Sequence, residues 1–390
     1  MSGFIRTIAI LGICSVSAMA QFYPSNARMN ALGGTFIIQD RSDILRYAAY
    51  MNDYKNDVMA NFKNAPILGV KSFGETVNLG IIANRGMLIS GSGFYSAASS
   101  RLDQLANGPG IGDTSQFIPH VLLGINADAI KLGFDFFFEY SHASYSTTAP
   151  EVDVWQSMLN PGVIASAIFG SEEVPIALKL GIGFPMINGS REAPPAQKIE
   201  YKSDRGIYGD VGAEVGFPIG PVQGKVGTDL ILDTYKFEGQ PTSYLNIRSG
   251  SYFGITSKIF TDGVVGLMYS FDVLSGNDDD SATDTQHHYN DFAQVISAGI
   301  ENNWSSVWFF DKVAARGGLS YVYGIPVSKT NTPNNDTRIK YASMYGPLNP
   351  TVGLGVAKGP FQLDMSINLA AWANLVNGPG VGQITASLDF

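Results

Sequence analysis

Cysteine is nearly absent from this chain, with Cys14 alone among 390 residues. One thiol forms no internal disulfide, so the fold must stand without covalent staples. Histidine is almost as scarce, at positions 120, 142, 287 and 288 only. Charged residues make up 15%, low beside the ~25% of ordinary soluble domains. A formal net charge of −9 argues against a nucleic-acid partner, which would need a basic surface. Beyond the first twenty residues no apolar run approaches the ~18 residues of a spanning helix, which excludes helical membrane anchoring. Neither a G-x-S-x-G elbow nor an H-E-x-x-H pair occurs, so the chain is read as non-enzymatic, with no cofactor and no metal expected.

What is present is glycine, 44 residues, and aromatic side chains, with 23 Phe and 18 Tyr. The start resembles a secretory signal: Arg6, an apolar Ile8–Val16 core, and Ala18-Met19-Ala20 before Gln21. Leu11-Gly12-Ile13-Cys14 resembles a lipoprotein box, but Ile13 stands where a small residue is needed and the better cleavage site lies downstream. Cleavage after Ala20 removes Cys14 and Arg6, takes the formal charge from −9 to −10, and leaves about 370 residues. That length suits one large all-β domain or two ordinary ones.

Period-two alternation runs through these residues. Leu132, Phe134, Phe136, Phe138 and Tyr140 oppose Lys131, Gly133, Asp135, Phe137 and Glu139. Phe361, Leu363, Met365, Ile367 and Leu369 oppose Gln362, Asp364, Ser366 and Asn368, and the same pattern covers 176–186 and 265–273. The chain ends in another such strand, with Ile384, Ala386, Leu388 and the terminal Phe390 on one face. Such an ending resembles the assembly signal of bacterial outer-membrane barrels. Short turns are expected near Gly74-Glu75, Asp128, Glu172-Glu173, Gly220-Pro221, Thr261–Gly263 and Gly359-Pro360. Long loops are expected over Gly86–Ser115, Ala149–Leu159, Gly189–Gly206, Gly276–Asn290 and Thr330–Tyr345. Short and long connections in turn, between segments of about ten alternating residues, predict an all-β antiparallel transmembrane β-barrel of about 14–16 strands. A secreted sandwich would also alternate, but seldom joins uniformly long hairpins to a terminal aromatic strand. The expected division is a signal peptide over 1–20, a periplasmic or plug-like segment over 21–56, and the barrel over 57–390.

Each charged or aromatic cluster has a role under this fold. Lys131, Asp135, Glu139, Lys179, Lys225, Asp229, Asp233, Lys258, Asp272, Arg316 and Asp364 lie mostly on the polar faces of their strands, so they are candidates to line the lumen. Trp304, Trp308, Phe309, Phe310 and Trp372 are candidates for a headgroup-level girdle. Ile384, Leu388 and Phe390 form the candidate assembly signal. Asn277–Asp280 with Asp284 lacks the spaced order of a calcium loop, and His287-His288 has no evident third ligand. His142 with Ser141 and Ser144 is the one trio worth testing for catalysis, and a structural role is the simpler reading. The echo of Leu105–Gly112 in Leu375–Gly382 is read as paired turns.

After the leader, Ser25-Asn26-Ala27-Arg28-Met29-Asn30-Ala31-Leu32-Gly33-Gly34 runs to Asp40 and Asp43. This stretch resembles the opening of the FadL/PorV-like outer-membrane family, although Ala48-Ala49 stands where that family has Asn-Pro. The resemblance covers about 30 residues. It implies a barrel of ~14 strands whose N-terminal segment enters the lumen, in a family of solute carriers and secretion-associated barrels. Gly33 and Gly34 then allow close backbone approach, and Ile44, Leu45, Tyr47, Tyr50 and Met51 pack as a short plug helix. The function expected is passive passage of a small hydrophobic or amphipathic solute across the outer membrane. A non-conducting structural or secretion-associated barrel and an open porin are the alternatives. Expected partners are outer-membrane lipid and lipopolysaccharide, the barrel-assembly machinery and a small solute.

Overall fold

The computed structural model describes residues 26–32, 34–62, 67–83, 113–117, 119–148, 151–192, 198–237, 243–280, 285–332, 335–340, 348–369 and 383–390. The leader, Gly33, Trp372 and both Gly-Pro-Gly runs lie outside these residues. One α-helix, α1 (Ala27–Ala31), and two 3-10 helices, Arg41–Leu45 and Ala48–Asp53, precede the strands. Among the described residues no helix is long and apolar enough to cross a membrane.

The strand segments are β1 (Asp57–Phe62), β2 (Ile67–Phe73), β3 (Val77–Ala83), β4 (Asp113–Phe117), β5 (His120–Ala127), β6 (Ile130–Thr148) and β7 (Glu151–Gly170). Next come β8 (Pro175–Gly183), β9 (Met186–Glu192), β10 (Ile199–Ile219), β11 (Val222–Phe237), β12 (Ser243–Ile259) and β13 (Gly263–Asp280). The last are β14 (Thr285–Val307), β15 (Phe310–Thr332), β16 (Asn335–Lys340), β17 (Asn349–Lys358), β18 (Phe361–Asn368) and β19 (Ile384–Asp389). All nineteen belong to one sheet. Three adjacent pairs are halves of single strands: β4 and β5 both pair with β6, β8 and β9 with β7, and β16 and β17 with β15. Sixteen strands therefore make up the wall. β1 pairs antiparallel with both β2 and β19, so the sheet closes on itself. Closure leaves no edge strand.

The two faces separate as the alternation predicts. On β6, Gly133, Asp135, Phe137 and Glu139 are buried, while Phe136 and Phe138 are exposed. On β18, Phe361, Leu363, Met365 and Ile367 are exposed and Asp364 and Ser366 are buried. The outer surface therefore carries Ile207, Val211, Leu178, Leu180, Ile182, Leu267, Ile296 and Ile300 in the open, Leu180 at 66%. An apolar belt of this extent far exceeds the patches that water-soluble monomers tolerate.

The short turns fall where the sequence places them, at 74–76, 128–129, 171–174, 220–221, 260–262 and 359–360, with one more at 308–309. Residue 57 and the C-terminus sit at this same end, where Asp57 faces Asp389 and the Phe390 amide donates to Asn56 O at 2.8 Å. The long connections differ from expectation. Ala149–Leu159 is mostly the start of β7, and 189–192, 199–206, 276–280, 285–290, 330–332 and 335–340 are strand as well. A polar hairpin that continues the barrel ladder satisfies every backbone N–H and C=O, which an irregular loop of that length does not.

Candidate functional site inside the barrel

Residues 26–56 lie against the inner wall. Asn26 caps α1 by accepting from the Met29 amide at 2.8 Å. Asp40 caps the first 3-10 helix through Ser42 N at 2.9 Å, and the Asp40 amide donates back to Asp43 Oδ2 at 3.0 Å, which completes a capping box. The single plug helix expected over 44–51 is thus two 3-10 turns flanking Tyr47. Short tight turns let the chain bend round a curved wall, which one straight helix does not.

The route runs in two arcs along the inner wall, returning between them to the β1–β19 seam, where Arg41 pairs with Asp57. Ala27 N donates to Thr385 Oγ1 on β19 at 2.8 Å. Leu32 then passes Gly299 on β14, Thr35 and Ile38 pass Gly266 on β13, and Ile37 passes Gly254 on β12. Arg46 and Tyr50 reach Glu214 on β10. Ala49 N donates to Ser166 Oγ on β7 at 2.9 Å, and Met51 covers Gly124 on β5. Asn52 accepts from Asn78 Nδ2 on β3 at 2.7 Å, and five residues later β1 begins.

Glycine makes this close contact possible. A β-carbon on Gly299 would stand 2.7 Å from Leu32 O, on Gly254 2.5 Å from Ile37 Cδ1, and on Gly124 2.8 Å from Met51 Cγ. On Gly133 it would collide with the Ala48–Ala49 backbone, and on Gly353 with the Ala31 side chain. The glycines that admit the segment therefore belong to the wall. Gly34 has φ +76 with open space around it, so it serves the backbone turn after α1 and not the close approach expected of it.

Two apolar clusters seat the segment. Ile44, Leu45, Tyr47, Ala48, Ala49, Tyr50 and Met51 pack on Met59, Leu68, Val70, Ile82, Leu122, Ile168 and Ala177 of the wall. Met29, Leu32, Phe36, Ile37 and Ile38 pack on Tyr252 and Met268. Each large side chain so buried contributes about 1.5–3 kcal/mol.

Between the clusters run ion pairs. Arg46 Nη1 lies 3.1 Å from Glu214 Oε2, and its guanidinium stands over the rings of Phe36, Tyr252 and Tyr47 at 4.6, 5.0 and 5.5 Å. Glu214 also holds Lys225 at 3.0 Å, Tyr50 OH at 2.9 Å, and Tyr252 OH. Arg28 spans Glu301 at 2.8 Å and Asp40 at 3.0 Å, and Arg316 joins Glu301 to Asp364. Burial alone would raise the Asp40 carboxyl, but Arg28 and the Ser42 hydrogen bonds hold it below the usual carboxylate range. Burial dominates at Asp43 and pushes it up to about 6, against the pull of Lys225 and Arg46.

The residues singled out from sequence fall as follows. Lys179 pairs with Asp210 and Asp229, at 3.0 and 3.1 Å. Asp135 meets His120 Nδ1 at 2.8 Å, Glu139 accepts from Asn160 at 2.7 Å, and Asp233 accepts from Asn246 at 2.8 Å. Lys131 pairs with Asp53 of the segment. Asp272 is buried on the inner face. Lys258 has inner-face parity but is exposed, next to the turn at Phe260. Trp304, Trp308 and Phe309 are exposed, Trp308 at 90%, and Phe310 is half-buried. The Phe309 ring packs at a tilt against both neighbours, with centroids at 5.0 and 4.0 Å. Ile384, Leu388 and Phe390 share the outer face. His142 stacks on Trp155 at 6.4 Å, while the side chains of Ser141, Ser144, His287 and His288 lie outside the described residues. No group of three metal-ligating side chains occurs among the described residues. Sequence reasoning missed Arg46, Glu214, Glu301 and the glycine belt. A glycine on the polar side of an alternating strand, as at 133, was the available signal.

No protein-family model matches the chain, and no curated protein matches it. Among solved structures, it is similar to the toluene transporter TbuX of Ralstonia pickettii, with TM-score 0.40 and 12% identity over 94% of this chain and 97% of that one. It is similar to the Pseudomonas putida toluene transporter TodX, at 0.39 and 9% over 93% and 96%. The outer membrane protein OmpT of Vibrio cholerae follows at 0.29 and 8%, over 85% and 95%. Scores and identities this low carry no functional weight.

Proposed function

We propose that this chain resides in a bacterial outer membrane as a barrel closed at rest, and that it passes a small hydrophobic or amphipathic solute instead of bulk hydrophilic ones. The outer apolar belt matches hydrocarbon, and a closed sheet is the one strand architecture that leaves no unpaired backbone there. The single observation that carries the closed state is the packing of residues 26–32 and 34–56 against the inner wall, with buried side chains on both sides of the contact. An open water-filled porin would leave such inner residues wet. Alternating apolar clusters and fixed charges suit a solute with both characters. Lipid, lipopolysaccharide and the barrel-assembly machinery are the partners this reading brings, with the Phe390 strand as the element the machinery engages.

A second reading, a non-conducting structural or secretion-associated barrel, is favoured by the glycine seats, which make the segment part of the wall. Planar-bilayer conductance of the full chain separates the porin from the rest, since large steady currents would refute a closed state. Uptake of a labelled fatty acid by a strain lacking the protein then decides between the remaining two. Unchanged uptake with altered secretion or surface attachment would overturn the carrier.

A further inference from the structure

The described seam at which the barrel closes is a short join of six register partners, and its two strands pair with their other neighbours over fewer still. β1 and β19 are six residues each, whereas β14 and β15 are 23 each and pair along almost their whole length. The seam also ends on a mismatch: Asp57 and Asp389 are register partners, and like charges directly opposite one another destabilise a strand pair. The compensating cation comes from neither strand. Arg41 of the inner segment pairs with Asp57 and reaches Asp389 with Nη2 at 2.8 Å. Its Nη1 donates to Ser387 Oγ at 3.2 Å and to Gln362 Oε1 on β18 at 3.3 Å. Higher up, Ala27 N holds Thr385, whose hydroxyl bonds Asn61 of β1, and Asn30 bonds Gln383. One stretch of chain thus grips the first and last strands together from inside.

We propose that residues 26–41 are a clasp on the barrel's closing seam, with Arg41 as the charge that permits Asp57 and Asp389 to face each other. The clasp does not rest on the transport reading, because it would be needed in a conducting and a silent barrel alike.

Hydrogen exchange of the full chain in detergent micelles tests it, read at 57–62 and 384–389 with β14 and β15 as internal reference. Arg41→Gln is expected to speed exchange at both seam strands on the order of tenfold and leave β14–β15 unchanged. Adding Asp57→Asn and Asp389→Asn to that variant is expected to slow the seam again, because no repulsion remains to be offset. Wild-type exchange in Arg41→Gln, an equal acceleration throughout the barrel, or a triple variant no slower than the single would each overturn the clasp. Should Arg41→Gln fail to fold, Arg41→Lys keeps the charge and loses the fork. Exchange roughly threefold faster at the seam alone is then expected, and the wild-type rate there overturns the proposal.

Discussion

The backbone of Ala49 occupies the space that a side chain on Gly133 would need, while the Ala49 amide donates to Ser166 on the neighbouring strand at 2.9 Å. Segment and wall are therefore built to a common contour, and neither moves without the other.

Gly133→Val is expected to unseat the second 3-10 turn and to lower stability by about 1–3 kcal/mol through overpacking. Gly209→Ala is the matched control, since its β-carbon meets nothing nearer than Leu232 O at 4.0 Å. Denaturant titration of both variants in micelles reads the difference. Equal midpoints would show that the segment does not lean on Gly133.

Glu214 is the acceptor on which Arg46, Lys225, Tyr50 and Tyr252 converge. Glu214→Gln strands the buried Arg46 guanidinium and the half-buried Lys225 ammonium, and is expected to destabilise the fold by about 3–5 kcal/mol. Glu200→Gln, which breaks the exposed pair with Lys198, is expected to leave the midpoint where it was.

Seating of the segment should tighten as pH falls from about 7 to about 5. The Asp43 carboxyl is raised to about 6 by burial, among Lys225, Arg46 and Glu214. Its protonation therefore favours the seated form, fully below its ordinary value near 4, and that contribution is lost as pH rises through about 6. Asp40 works the other way, but its carboxyl is held low, so its contribution fades only below about 4. Protease sensitivity of residues 26–56 at the two pH values measures the effect. Asp43→Asn should weaken it, and a wild-type protein equally resistant at both would refute the assignment.

The outer face predicts a depth dependence. Leu180, exposed on β8, is expected to cost about 2–4 kcal/mol when changed to Arg, and Phe260, in the turn between β12 and β13, about 0–1 kcal/mol. Folding into vesicles from denaturant gives both values. A Leu180→Arg variant as stable as the Phe260→Arg one would place that face outside hydrocarbon.

Much of the fold is legible in sequence because a strand's side chains alternate whatever its partners are. Leu132 to Phe138 and Phe361 to Ile367 declare an apolar face on their own, and Gly74, Asp128 and Gly359 mark the turns between them. The long hairpins were hidden because polar strand and polar loop read alike once neither face is buried. Glu214 and Glu301 looked like any polar-face carboxylates, since nothing local says that an arginine nearly 170 or more than 270 positions earlier will meet them.

The sequence by itself determined which face of each strand is apolar and where the chain turns back, because both follow from neighbours a few residues away. Tertiary structure alone decided that the wall closes at sixteen strands, that glycines on six of its segments line up to receive one stretch of chain, and that Arg41 lands between Asp57 and Asp389. Those facts depend on register around a closed circle. Register is a property of all the strands together and of no single one.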